Sequence, residues 1–97
     1  MRNIYVVIEK NWFENFAGQT IDSFTERKFL KAFTDECAAR DFIREQTPIV
    51  NEGWHLISAD FDPFIPGKIV EYQRDFDGHS YYKYFTYRTY QVELEES

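Results

Sequence analysis

Residues 28–46 read KFLKAFTDECAARDFIREQ. In nineteen residues this stretch carries a strand, a helix cap and one amphipathic helix. Asp22 to Phe33 reads as a strand with a blurred start, Phe29 and Phe33 pointing one way and Leu30 and Ala32 the other. Thr34 reads as the N-cap, its hydroxyl placed to accept a first-turn backbone N–H. Asp35 and Glu36 follow at the positive end of the helix dipole. Ala38, Ala39, Phe42 and Ile43 make the apolar stripe at helical spacing. Pro48 bars continuation, and Thr47 before it is already biased away from helix. The spacing predicts a helix over 35–46.

Outward from this anchor the pattern is all strand. Asn3 to Lys10 has Ile4, Val6 and Ile8 on one face and Tyr5 and Val7 on the other, which suggests a central strand. Asn11 to Thr20 breaks that alternation. Trp12 and Phe16 fit one face of a short helical turn ended by Gly18; the plainer account is a loop folded back over the core. Trp54 to Phe61 reads as a third strand, with His55, Ile57, Ala59 and Phe61 on one face. Pro66-Gly67 suits a type II turn, Ile69 to Phe76 a fourth strand, and Asp77-Gly78 a hairpin tip. His79 to Leu94 is long for one regular strand. Its dominant apolar parity changes near Arg88, which predicts a bulge or bend there. The expected fold is α+β: an antiparallel-rich sheet of about five strands with one helix on one face, order β-β-α-β-β-β, in a single domain over 1–97.

Composition bounds what such a domain does. Ninety-seven residues suffice for one core. Ten Phe, seven Tyr and two Trp are more rings than that core needs, so several are expected at the surface as partner contacts. Seventeen acids against eleven bases give a formal charge of −6. That disfavours direct nucleic-acid binding, which needs a basic face, and an anionic membrane equally. A basic protein is the natural complement. One cysteine, Cys37, excludes an internal disulfide and suits a reducing compartment. The N-terminal apolar run is five residues, too short for a leader or a span. The chain reads as cytoplasmic.

No catalytic constellation emerges. Cys37 falls in the first helical turn, where the dipole favours a thiolate, but no base is placed beside it; next to two alanines it reads as a small buried residue. Asp75-Phe-Asp77-Gly78 fails as a calcium loop: position twelve is Thr86, and the hairpin explains the segment better. Simple alternation puts His55 opposite Asp60 and Asp62, against a metal site there. There is no glycine-rich phosphate loop, serine elbow or paired CxxC. The chain is expected to be no enzyme and to hold no cofactor and no metal.

Two surface features remain. Tyr81, Tyr82, Tyr84, Tyr87 and Tyr90 crowd ten residues, either as a strand buried on both sides or as a tyrosine-rich binding face. Stacked nucleic-acid bases would need a positive groove, and two cations do not make one. Between Glu52 and Gly78 six acids stand against Lys68 and Arg74, which is −4 of the −6. The reading is therefore a non-catalytic protein-binding module. Asp60, Asp62, Glu71, Asp75 and Asp77 would present carboxylates where a basic, nucleic-acid-handling partner expects phosphates, with Trp12, Tyr81 and Tyr82 as aromatic anchors. In size, acidity and aromatic content the chain resembles, in type, the small inhibitors that phages use against host defence, the anti-CRISPR kind included. That resemblance rests on composition and implies inhibition by occupying a partner. A self-assembling homodimer through an exposed edge strand and a small-ligand domain with a pocket between helix and sheet are the alternatives.

Overall fold

The computed structural model describes residues 2–15, 17–20, 25–62 and 67–94. Five strands and one helix follow in the order expected: β1 (Arg2–Glu14), β2 (Glu26–Phe33), α1 (Glu36–Glu45), β3 (His55–Asp62), β4 (Gly67–Phe76) and β5 (His79–Leu94). All strands join one antiparallel sheet of order β2-β1-β5-β4-β3. The α+β architecture with a single helix is the one read from the sequence. The helix lies in the connection that carries the chain from one edge of the sheet, β2, to the other, β3.

Length decides the shape. β1 has 13 residues and β5 has 16. At ~3.4 Å per residue β5 alone reaches ~54 Å, and the molecule measures 58 × 24 × 22 Å. β1 extends past Lys10, through Trp12 and Phe13, so these are strand residues and not a helical turn or a folded-back loop. The pairing partner explains it: every residue from Arg2 to Glu14 has an opposite number on β5, and cross-strand hydrogen bonds override the weak local pattern. The chain then reverses around Asn15. Its Oδ1 accepts from Ala17 N at 2.9 Å and Gln19 N at 3.0 Å, and Gly18 takes φ 75°. Phe16 and the blurred start of β2 lie outside the described residues, as does Pro66 of the expected type II turn.

No bulge occurs near Arg88; β5 pairs with β1 without a register shift from Arg2–Leu94 down to Glu14–Tyr82. The irregularities sit instead on the two edge strands, opposite Val7/Ile8 and between Leu56 and Ser58. Bulges at sheet edges twist the unpaired backbone and blunt it against further pairing. Each also reverses the expected alternation. Phe29 pairs with Ile8 and Phe33 with Tyr5, so the two rings fall on opposite faces, and the extra residue Leu30 packs on the core. His55 pairs with Gln73, which puts it on the same face as Asp60 and Asp62, not the opposite one.

α1 has Asp35, not Thr34, as its N-cap: the carboxylate accepts Cys37 N at 3.1 Å. The far end is closed by Lys68 of β4, whose Nζ donates to the carbonyls of Arg44 (2.9 Å) and Gln46 (2.6 Å). These are orphan acceptors at the negative end of the dipole, where a cation is favoured. Ala39 and Ile43 bury completely against Val7, Val70, Tyr72, Phe85 and Tyr87 of the three central strands. Phe42 joins Phe33 at 5.3 Å, with the Lys31 ammonium over both rings. Cys37, expected to be buried, is exposed, because the stripe that faces the sheet runs through Ala39 and Ile43.

Ile43→Ala removes the largest helical side chain of the core and is expected to cost ~2–5 kcal/mol. Lys68→Met leaves two helix-end carbonyls without a charged donor and is expected to cost ~1.5–3 kcal/mol. Urea unfolding followed by circular dichroism checks both, with Lys28→Met, at an exposed position of β2 away from the helix ends, as the near-neutral control.

Candidate functional site

The sheet has two faces, and the helix covers one. On the opposite face β1 presents Ile4, Val6, Ile8, Lys10, Trp12 and Glu14; β5 presents Tyr82, Tyr84, Thr86, Arg88, Tyr90 and Val92. Phe29 and Ala32 extend it on β2, and Ile69, Glu71, Gln73 and Asp75 on β4. Among the described residues no helix lies over it. Its apolar end lies on β2, β1 and β5, and its acids run along the β3–β4 side.

At the apolar end the register sets Ile4 beside Val92, Val6 between Ala32 and Tyr90, and Ile8 beside Phe29. Phe29 is 58% exposed, Tyr90 54% and Val92 40%. Two aromatic rings and a valine are thus left exposed on neighbouring strands of this face. Arg88, Lys10 and Arg27 lie across the middle, in the same cross-strand rows as two acids of β3: Asp62 is level with Arg88, and Asp60 with Lys10 and Arg27.

The acidic β3–β4 side, with the neighbouring stretch of β1 and β5, holds most of the residues singled out from sequence. Asp60 and Asp62 of β3, and Glu71 and Asp75 of β4, all project to this open face. Along β3 the two carboxylates repeat every second residue, ~6.7 Å apart. Glu71 is tied down: Tyr84 donates its hydroxyl to it at 2.9 Å and Ser58 at 3.4 Å. Asp75 accepts from Ser80 at 2.6 Å and Gln73 at 3.0 Å, and these bonds, followed by the nearby His55, hold its carboxyl below the usual carboxylate range. Trp12 stacks on Tyr84 at 5.2 Å, and the Lys10 ammonium lies 5.6 Å from the indole centroid, so the tryptophan is held by two neighbours. Tyr82 stands beside Glu14 and Gln73 on the same face.

Two of the eight depart from this group. Asp77 sits at the β4–β5 hairpin tip with φ 52°. Tyr81 points to the helix side, near Phe13 at 6.2 Å. The tyrosine-rich strand is thus split by the pleat: Tyr82, Tyr84 and Tyr90 face outward, Tyr81 and Tyr87 inward. Sequence reading placed Tyr84 and Tyr90 in the tyrosine-rich strand without choosing them as anchors, and it missed Glu14, Phe29, Val92 and Ile69. A signal was present. Even-numbered apolar positions recur in both 4–12 and 82–92, and one helix cannot cover both faces of the strands that carry them. Among the described residues no cluster of His, Cys, Asp and Glu is arranged to hold a metal.

Partial burial, then the adjoining Glu71 and Glu14 carboxylates, push the Tyr84 hydroxyl well above the ordinary tyrosine value. Burial and the facing Glu9 do the same to Tyr87. A pKa raised by folding contributes stability that is complete below the unfolded value of ~10 and is lost as pH rises beyond it. Folding stability is therefore expected to fall above about pH 10, and Tyr84→Phe to make that fall shallower; urea midpoints across the alkaline range check it.

No protein-family model matches this chain, and no curated protein or solved structure does either; no helix among the described residues is long and apolar enough to cross a membrane.

Proposed function

We propose that this chain is a non-catalytic binding module that occupies and inhibits a basic, nucleic-acid-handling protein through the open face of its sheet. One observation carries the reading: Asp60, Asp62, Glu71 and Asp75 share that face with Trp12, Tyr82 and the exposed apolar end. Carboxylates at regular strand spacing offer a basic groove a row of anions. The partner is a protein with a phosphate-binding surface, because the acids supply the complement of that surface. The carboxylates set the association rate and its salt dependence; Phe29, Tyr90 and Val92, desolvated on contact, set the lifetime. Structural order favours this division. Glu71 and Asp75 are already fixed by hydrogen bonds from Tyr84, Ser58, Ser80 and Gln73, so little side-chain entropy is lost when they engage.

The test is capture from a bacterial lysate on the immobilised protein, elution by a salt gradient, and competition by duplex DNA. A basic protein released by moderate salt, displaced by DNA, and no longer retained by Asp60→Lys/Asp62→Lys/Asp75→Lys is expected. Phe29→Ser/Tyr90→Ser is expected to speed dissociation at least ten-fold while leaving the salt dependence unchanged. Unchanged affinity of the charge-reversed variant at low salt overturns the reading. So does sedimentation showing a concentration-dependent dimer that Phe29→Ser/Tyr90→Ser abolishes, which would assign the face to a second copy of the chain.

A further inference from the structure

On the helix side the sheet outruns its cover. α1 spans ~15 Å against the ~54 Å of β5. Past the helix the same face is walled by the connection into β3 and by β2, leaving a cavity of about 540 Å³. That volume falls in the range of small-molecule sites. Its walls are aromatic: Phe13 and Trp54 meet edge to face at 5.3 Å and an interplanar angle of 87°, with Tyr81 6.2 Å from Phe13 and Phe76 also lining the cavity. Two cations line it, Arg74 and Lys83, set in register with Tyr81 and Phe13 on the neighbouring strands. Gly53, at φ 99°, lets the connection pass close to Arg74; a Cβ there would lie 3.5 Å from the guanidinium. The same turn is followed directly by Trp54.

A second cavity, about 500 Å³, adjoins the first and shares Asn11, Glu26 and Lys83 with it. It adds Arg27 and Lys28. Arg27 pairs with Lys10 and its side chain belongs to the open face, so the joined trough carries Lys28, Arg74 and Lys83 against Glu9 and Glu26, an excess of one positive charge on a chain of net −6. Glu9 is partly spent, since Asn11 donates to it at 3.2 Å. Cations gathered against the charge of the whole molecule, beside crossed aromatic walls, select a flat ring by stacking and an anion by charge.

We infer that this trough binds a planar aromatic anion, a ring system bearing a carboxylate or phosphate, with the ring between Trp54 and Tyr81 and the anion toward Arg74 and Lys83. The site lies on the face opposite the proposed protein-binding surface and stands independently of it.

The two tryptophans make the test direct, because Trp12 reports on the open face and Trp54 on the trough. In ¹⁵N-labelled protein each indole N–H gives its own cross-peak, assigned with Trp12→Phe. Titration with 2-naphthoate is expected to move the Trp54 peak and leave Trp12 in place. The uncharged 2-naphthamide is expected to bind at least ten-fold more weakly. Arg74→Gln/Lys83→Gln is expected to lower naphthoate affinity at least ten-fold without changing that for naphthamide, and Lys83→Gln alone to lower it several-fold should the double variant lose its dispersed spectrum. A Trp54 peak that does not move, equal affinity for the two probes, or Trp12 moving in step with Trp54 overturns the assignment.

Discussion

A ten-residue helix has to seal a sheet whose central strands run thirteen and sixteen residues, and the surfaces of this molecule follow from that mismatch. Apolar burial is what drives a helix onto a sheet, but the helix reaches only as far as its length allows. It closes one patch, over Val7, Val70, Phe85 and Tyr87. Beyond that patch the face stays open as the aromatic trough, and the other face has no helix over it among the described residues.

The covered patch is small, so its fastenings matter. Asp35 holds one helix end by accepting a backbone N–H, and Lys68 holds the other by donating to two carbonyls from across the fold. The second bond is the more consequential. It joins the last turn of the helix and the first residue of the following connection to β4. Glu9 plays a comparable part inside. Burial, reinforced by its carboxylate facing Tyr87 across the β1–β5 pair, keeps that tyrosine a neutral donor.

The open face combines apolar, basic and acidic residues because the pleat sorts alternate residues and antiparallel pairing aligns them across strands. Acids that look scattered along 60–75 fall together because β3 and β4 are neighbours in register, Asp60 opposite Ile69 and Ser58 opposite Glu71. Tyr84 then joins the acidic rim to Trp12 by donating to Glu71 while stacking on the indole. Charge and aromatic area are thus tied together on one face of the sheet.

The sequence by itself determined the element types and order, the helix, the β4–β5 hairpin and the acidic bias, because alternation, the helical apolar stripe, Pro48 and Asp77-Gly78 are local signals. It also singled out Trp12, Asp60, Asp62, Glu71, Asp75 and Tyr82, which the fold gathers on one face. The tertiary structure alone decided which face each residue occupies on the edge strands. A single inserted residue reverses alternation, and Leu30 and Ile57 carry no mark of being the extra one; hence His55 and Phe29 changed sides. The extension of β1 through Trp12 and Phe13 depended on β5, seventy residues away, and the trough on the connection brought over β1 and β5 by the helix. These are long-range pairings, and no local pattern encodes them.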